Sequence, residues 1–287
     1  SATGGGMRIR GGSDPLIQGG VFIGNSAIRG GGVYIEESAT PTFESCYFKG
    51  NIATGAGPSG DGGAICNATG YPNVNHCVFV NNHANDDGGA IFGGVPLVYE
   101  SQFIGNSALD DGGAVFGGAP RFVGCSFIEN SAGDGGGCMY IYQSSIRIDG
   151  CRFERNVSGA SGGGIFTEGS PVITDSVFRN NSALVSAGAI FAFGKLASPQ
   201  ISNTLLCANG SDQLIGFWTD DGGNTLSEKC PAKCIGDFDE DGIIGGLDLG
   251  LFLTEWGSIQ ADLNDDGLVD GIDLGILLTG WGNCITP

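Results

Sequence analysis

The chain has 287 residues, a formal net charge of −19 and only 12 Lys plus Arg, a balance that disfavours nucleic acid and anionic lipid and favours divalent cations. Its 55 glycines lack the every-third spacing of collagen, and no apolar run approaches the roughly 20 residues that span a bilayer. The ten cysteines form no C-x-x-C pair and read as disulfides and buried thiols of an oxidising, extracytoplasmic compartment rather than as zinc ligands.

The chain opens at Ser1-Ala2-Thr3, inside a repeat and without an initiator Met or signal segment, so an upstream segment is expected to have been removed or left out. From there a Phe-x-x-Asn motif recurs at Phe22/Asn25, Phe48/Asn51, Phe79/Asn82, Phe103/Asn106, Phe127/Asn130, Phe153/Asn156 and Phe178/Asn181, with a degenerate copy at Leu206/Asn209; the spacing is 24 to 31 residues. A Ser-Ala or similar pair follows most copies, then a turn, then Gly-Gly and a small and an apolar residue, as in Gly62-Gly63-Ala64-Ile65. A third column places Pro15, Pro41, Pro72, Pro96, Pro120, Pro171 and Pro199 two residues before an apolar residue. Proline is tolerated where a strand begins, because its missing donor matters least there.

Three strand signals per repeat, each bounded by turn residues, predict one coil of a three-sided solenoid. The fold class expected is therefore all-β, a right-handed parallel β-helix of about eight coils over residues 1–209. Period-2 alternation puts Phe127 with Cys125, Phe153 with Cys151 and Phe79 with Cys77 on the core face. Cys46 joins that column, and its thiols read as buried small hydrophobes. The asparagines are expected to stack as a structural ladder.

After each Gly-Gly-small, two neighbouring positions are both apolar. One column runs Met7, Val33, Ile65, Ile91, Val115, Met139, Ile165, Ile190; the other runs Arg8, Tyr34, Cys66, Phe92, Phe116, Tyr140, Phe166, Phe191. Adjacent strand residues face opposite ways, so one ladder, the aromatic one, is expected outside. Another chain, sugar rings, or a loop or the C-terminal module could cover it.

The turns before Gly-Gly stack Asp61, Asp87 and Asp111 beside Asp86, Asp110 and Asp134, either a solvated turn or a weak calcium site. Polysaccharide-cleaving β-helices are the rival class, and they need paired carboxylates, or calcium with an Arg or Lys base, in a groove. The Asp column is read as lacking Arg or Lys, and His76 and His83 stand in unrelated contexts. The expectation is a chain without catalytic activity.

The tandem Gly-Gly-Ala-Ile and Phe-x-x-Asn tetrapeptides resemble the repeats of chlamydial polymorphic outer membrane proteins. That resemblance covers about residues 1–209 and implies a β-helical passenger acting as a surface adhesin. The C-terminal membrane barrel of that family has no counterpart in this sequence.

Residues 210–233 read as a capping segment and linker, with Cys207 and Cys230 flanking Trp218. Disulfides are expected for Cys207–Cys230 and for Cys234–Cys284. Residues 234–287 then carry two twelve-residue loops with oxygen side chains at positions 1, 3, 5 and 12 and glycine at 6, the calcium-loop spacing. Asp237, Asp239, Asp241 and Asp248 would hold one ion, with the carbonyl of Ile243. Asp262, Asn264, Asp266 and Asp273 would hold the second, with the carbonyl of Leu268 and with Asp270 at position 9; the cofactor is two Ca2+. Each loop leads into one short helix, Leu247–Trp256 and Ile272–Trp281, and neither is preceded by one. These half EF-hands with Asp at position 12 resemble dockerin modules, and the Trp-Gly ending is similar to the variant on secreted planctomycete-type bacterial proteins. Resemblance here, over about residues 234–284, implies docking to a cohesin-like protein, or a folding or anchoring tag.

Together these readings predict an extracellular or cell-surface solenoid without a membrane span. Its partners would be further copies of itself, joined through the solenoid ends and the C-terminal module, or else a cohesin-like protein or a surface glycan.

Overall fold

A computed structural model of the chain describes residues 3–230 apart from 58, 95 and 211, and then 236–238, 243–258, 261–264 and 267–283. Two compact units divide it, Ser1–Glu228 and Lys229–Pro287. The first is a parallel β-solenoid of about eight coils. Three of its sheets are nine-stranded, and all their neighbours are parallel strands one coil apart. The first sheet runs from Met7–Ile9 to Leu214–Ile215, the second from Leu16–Gln18 to Thr219–Asp220, and the third from Val21–Ile23 to Thr225–Ser227.

Three sides were expected, and the structure has a fourth. The Ser-Ala pairs form a seven-stranded sheet of two-residue strands, Ser26–Ala27 to Ser182–Ala183. Their backbone groups pair from coil to coil, Ile52 N–H to Asn25 O at 2.9 Å and His83 N–H to Asn51 O at 2.9 Å, so the pair that leads into the turn is itself a short strand. The first three sheets also continue past residue 209. Leu214–Ile215, Thr219–Asp220 and Thr225–Ser227 add one more strand to each.

Registration of each motif with its copy one coil on builds the core. Phe22, Phe48, Phe79, Phe103, Phe127, Phe153 and Phe178 stack in one buried column with ring centroids 4.3–4.9 Å apart, the repeat of the strand spacing itself. The residues two after each proline form a second inner column, with Phe43, Val74, Val98, Phe122, Ile173 and Ile201 fully buried.

Two polar ladders run through this core. In the first, each Asn Nδ2 donates to the Oδ1 of the next Asn, from Asn25 to Asn209, at 2.8–3.0 Å. The same nitrogen donates to a Phe carbonyl of the preceding coil, as in Asn106 Nδ2 to Phe79 O at 3.0 Å. A buried amide is tolerated when its groups are paired, and Gln213 ends the stack by accepting from Asn209 Nδ2 at 2.6 Å and donating to Ser227 O at 2.7 Å. The second ladder is the cysteine column, which does more than fill space. Cys46 N–H meets Cys77 Sγ at 3.3 Å, Cys77 N–H meets Ser101 Oγ at 3.0 Å, and Cys151 N–H meets Ser176 Oγ at 3.1 Å. Thiol and hydroxyl are interchangeable there because each accepts one N–H of the preceding coil.

The Gly-Gly pair has a separate reason at each position. Gly112 adopts φ +64°, a left-handed conformation that glycine adopts without strain. Gly113 faces a backbone: a Cβ there would lie 2.2 Å from Gly137 O.

The second unit is small and internally repeated. Helix α1 spans Gly246–Thr254 and helix α2 Gly271–Thr279, close to the helices expected. Ile244, Phe252, Ala261, Val269 and Leu277 form its core. Residues 25 apart occupy equivalent places: Ile244 pairs with Gly282 across a short antiparallel bridge, and Val269 with Gly257 through Gly257 N–H to Val269 O at 2.9 Å.

Candidate metal centres

In the second calcium-type loop the position-12 carboxylate, Asp273, is buried and draws the loop around itself. Its Oδ1 accepts from Leu263 N–H at 2.8 Å and Asn264 N–H at 3.2 Å, and its Oδ2 from Asp270 N–H at 2.9 Å. The Asp270 N–H foremost, with those of Leu263 and Asn264, holds the Asp273 carboxyl below its ordinary pKa. Asp262 at position 1 accepts from Gly267 N–H at 2.7 Å, where Gly267 turns with φ +93°. Asp270 caps α2 by accepting from Ile272 N–H at 2.7 Å. Leu268 is exposed.

The first loop repeats the arrangement. Asp248 is buried and accepts from Phe238 N–H (position 2) and Gly245 N–H (position 9), both at 2.7 Å. Asp237 is buried as well, and Ile243 lies in the strand paired with Asn283. Asp239, Asp241 and Asp266 lie outside the described residues, as do Cys234 and Cys284 and the bridge expected between them. The donor set is oxygen throughout, the chemistry of a hard divalent cation. Two loops closed on a buried carboxylate at position 12 suit such an ion.

Among the described residues, the places where three acidic ligand atoms come within 4.8 Å of one another lie on the solenoid. One is Asp61, Asp86 and Asp87; the other is Asp87, Asp110 and Asp111. Asp87 belongs to both, and Asp134 to neither. Backbone donors hold the stack in place: Asp87 Oδ1 accepts from Asp111 N–H at 3.0 Å, and Asp111 Oδ1 from Gly135 N–H at 2.7 Å. Burial foremost, then neighbouring carboxylates, pushes Asp87 and Asp111 up to about 7 and Asp86 to about 6. Carboxylates shifted this far take up protons near neutrality.

The expectation that no Arg or Lys stands in this column is corrected. Arg29 precedes Gly30 as Asp61 precedes Gly62, and its guanidinium forms an ion pair with the buried Asp61. The signal was legible in the sequence, since Gly30-Gly31 is a Gly-Gly copy, but it is the one whose preceding residue is basic. His76 links Glu44 and Glu100, one in the coil before and one in the coil after, at 3.0 Å each. His83 meets Ser107 Oγ at 2.9 Å.

The first-sheet ladders divide as expected. Val33, Ile65, Ile91, Val115, Met139, Ile165 and Ile190 face inward and are buried. Phe92, Phe116, Tyr140, Phe166 and Phe191 face outward and stack at 4.7–5.4 Å. This outer ladder is half-buried rather than open, because the turns before Gly-Gly fold against it. Arg29 lies over the Phe92 ring at 5.6 Å, and a Cβ on Gly135 would touch Phe166 at 3.2 Å. Of the expected covers, a loop supplies this one. Cys66, in the same column, is fully buried and its thiol is raised to about 12, chiefly by burial. Cys207 and Cys230 are both disulfide-bonded, in line with the bridge expected for them.

The family model of the Chlamydia polymorphic membrane protein repeat matches residues 45–68 and 76–94. These stretches carry two consecutive Phe-x-x-Asn and Gly-Gly-Ala-Ile copies, so the match and the solenoid agree on a repeat β-helix of that type. No curated protein and no solved structure matches the chain. Among the described residues no helix is long and apolar enough to cross a membrane.

Proposed function

We propose that this chain is a non-enzymatic extracellular or cell-surface solenoid with a structural or adhesive role. The observation that carries this reading is the repetition itself. Side chains of one kind recur at each coil along the sheets, inside and out, which suits a scaffold displaying an extended surface. The match to the membrane-protein repeat supports the adhesive side of the reading.

The C-terminal module would bind two Ca2+, one through Asp237, Asp239, Asp241, Asp248 and the Ile243 carbonyl, the other through Asp262, Asn264, Asp266, Asp273 and the Leu268 carbonyl, with Asp270 at position 9. The ions would neutralise clustered carboxylates and order the loops around α1 and α2. Exposed apolar side chains repeat on this module at 25-residue spacing: Leu247 with Ile272, Leu253 with Leu278, Trp256 with Trp281. A duplicated apolar face favours protein contact, either with another copy of the chain or with a cohesin-like partner.

Self-association head to tail is the assembly we favour. Its support is the duplicated apolar face of the C-terminal module, since a contact from such a face to a different surface of the next copy propagates when it does not close. Electron microscopy of the purified protein in calcium and again in chelator tests it. Filaments that disperse on chelation are expected; single particles in both buffers would sink self-association and leave the adhesive role.

A further inference from the structure

The corner between the first and second sheets opens into a shallow cleft of about 490 Å3 across three coils, lined by Gln143, Ser144, Glu168, Ser170, Phe193 and Lys195 among others. Its size lies within the roughly 300–1,000 Å3 of small-ligand sites. Two features set this corner apart from the rest of the surface, and among its exposed rings Phe193 lines the cleft itself.

The first is a second aromatic column, one step outside the half-buried ladder. Tyr142, Glu168 and Phe193 stand two residues beyond Tyr140, Phe166 and Phe191, whose register is fixed by pairing. Phe217 stands two residues beyond Ile215, the partner of Phe191. Tyr142, Phe193 and Phe217 are 52%, 56% and 65% exposed, and Phe193 lies 5.8 Å from the Phe166 ring that backs it. Rings left this open, Phe193 and Phe217 on adjacent coils and Tyr142 beyond the coil of Glu168, ask for an occupant.

The second is a set of polar groups beside those rings. Tyr140 Oη donates to Glu168 Oε1 at 2.6 Å, which fixes one carboxylate oxygen at the rim. Burial and that hydrogen bond raise the Tyr140 pKa, so the donor keeps its proton. The Ser144 hydroxyl is sealed from solvent and finds no hydrogen-bond partner among the described residues, an unusual state for a hydroxyl beside a cleft. Gln143 and Lys195 add an amide and an ammonium. Apolar faces flanked by mixed donors and acceptors match a pyranose, which has a C–H face and a rim of hydroxyls. A peptide edge would want a run of unpaired backbone groups, and a nucleic acid would want net positive charge.

We infer that this cleft is a carbohydrate-binding site for a neutral glycan, with Phe193 as the stacking platform, Glu168 and Lys195 as hydroxyl partners, and Tyr142 and Phe217 extending the platform along the coils. Strands one coil apart are separated by about 4.8 Å, close to the advance of one sugar along an extended chain. The glycan therefore lies across successive coils, parallel to the solenoid axis. The inference rests on the adhesive reading and names its ligand; it is independent of self-association.

The test titrates the intact chain with cellohexaose, xylohexaose, mannohexaose and chitohexaose, followed by saturation-transfer NMR and calorimetry, with a heparin oligosaccharide as the anionic comparison. Binding of at least one neutral oligosaccharide is expected, weakened at least about tenfold in Phe193→Ala and in the double variant Glu168→Gln/Lys195→Ala, a loss typical of an anchoring contact. Leu184→Ala, exposed and outside the cleft, should bind as the parent does, and unchanged thermal unfolding of each variant shows that it is folded. Binding that survives Phe193→Ala overturns the site while leaving an adhesive surface elsewhere. No binding by any neutral oligosaccharide, binding of the heparin fragment alone, or occlusion of the cleft by a second copy at raised protein concentration overturns the inference. Reducing ends released by the parent and lost in Phe193→Ala would uphold the site and overturn the non-enzymatic reading.

Discussion

The two units use glycine in opposite ways. In the solenoid the second glycine of each pair is pressed against its neighbour: a Cβ on Gly63, Gly89, Gly113 or Gly137 would meet a carbonyl of the next coil at 2.1–2.4 Å. In the C-terminal module, nothing among the described residues lies within 4 Å of a Cβ added at Gly245, Gly246, Gly250, Gly271 or Gly275. The solenoid is thus fixed by backbone-to-backbone approach repeated along the coils. The module instead draws its loops around two buried carboxylates, Asp248 and Asp273. Close approach between successive coils fixes the first; in the second, beside a small apolar core, each buried carboxylate accepts backbone N–H groups of its own loop.

Substitution at the tight glycines should show the contrast at full size. Gly113→Ala is expected to cost more than about 4 kcal/mol, since neither backbone can withdraw without breaking the pairing of two coils. Thermal unfolding followed by far-UV circular dichroism measures it; a cost under about 1 kcal/mol would mean that the coils are not packed as described.

Calcium should separate the two units next. With free calcium at about a hundred times Kd, the module gains about 2.7 kcal/mol, and chelator should remove this from its unfolding transition alone. A calorimetric scan in which the solenoid transition shifts by as much would place the ion on the Asp stack instead.

The stack has its own pH signature, opposite in direction to that of Asp273 in the module. Asp87 and Asp111 are raised to about 7 and Asp86 to about 6 from an ordinary 3.8, so the folded chain binds more protons than the unfolded chain through that window. Stability is therefore gained as pH falls from about 8 towards 5, and lost as pH rises through 7. Discounted for partial exposure, the gain is about 1–2 kcal/mol. Asp87→Asn should flatten this slope and stabilise the chain at pH 8 in chelator. A slope of opposite sign would show that paired carboxylates elsewhere dominate.

The smallest effect has the opposite sign to the first. Gly250 and Gly275 lie within α1 and α2 with nothing among the described residues within 4 Å of an added Cβ, so alanine at each should stabilise the module by about 0.5–1 kcal/mol. Denaturant midpoints of the module transition would show it, and destabilisation would point to a surface packed over these glycines.

The solenoid was largely legible because its signals repeat. A Phe or an Asn at one coil is weak evidence, but seven copies in register leave one architecture. The Ser-Ala pairs were not counted as a fourth strand signal because two-residue strands lack the alternation that marks a strand. Cysteines 46, 77, 125 and 151 were read by burial alone, whereas their place beside Ser101, Ser176 and Thr204 makes them hydrogen-bond acceptors as well. Arg29 was missed as the odd member of an acidic column.

By itself the sequence determined the period, the inward and outward columns, the two short helices and the acidic loops, since each follows from spacing within one repeat. The tertiary structure decided what lies beside what across coils. Turn lengths vary between coils, so which side chains 24 to 34 residues apart share a corner is set only by the backbone pairing. That pairing puts Arg29 on Asp61, joins Asp87 to both acidic triples, folds the turns over the outer aromatic ladder, and gathers Glu168, Phe193 and Ser144 into one cleft.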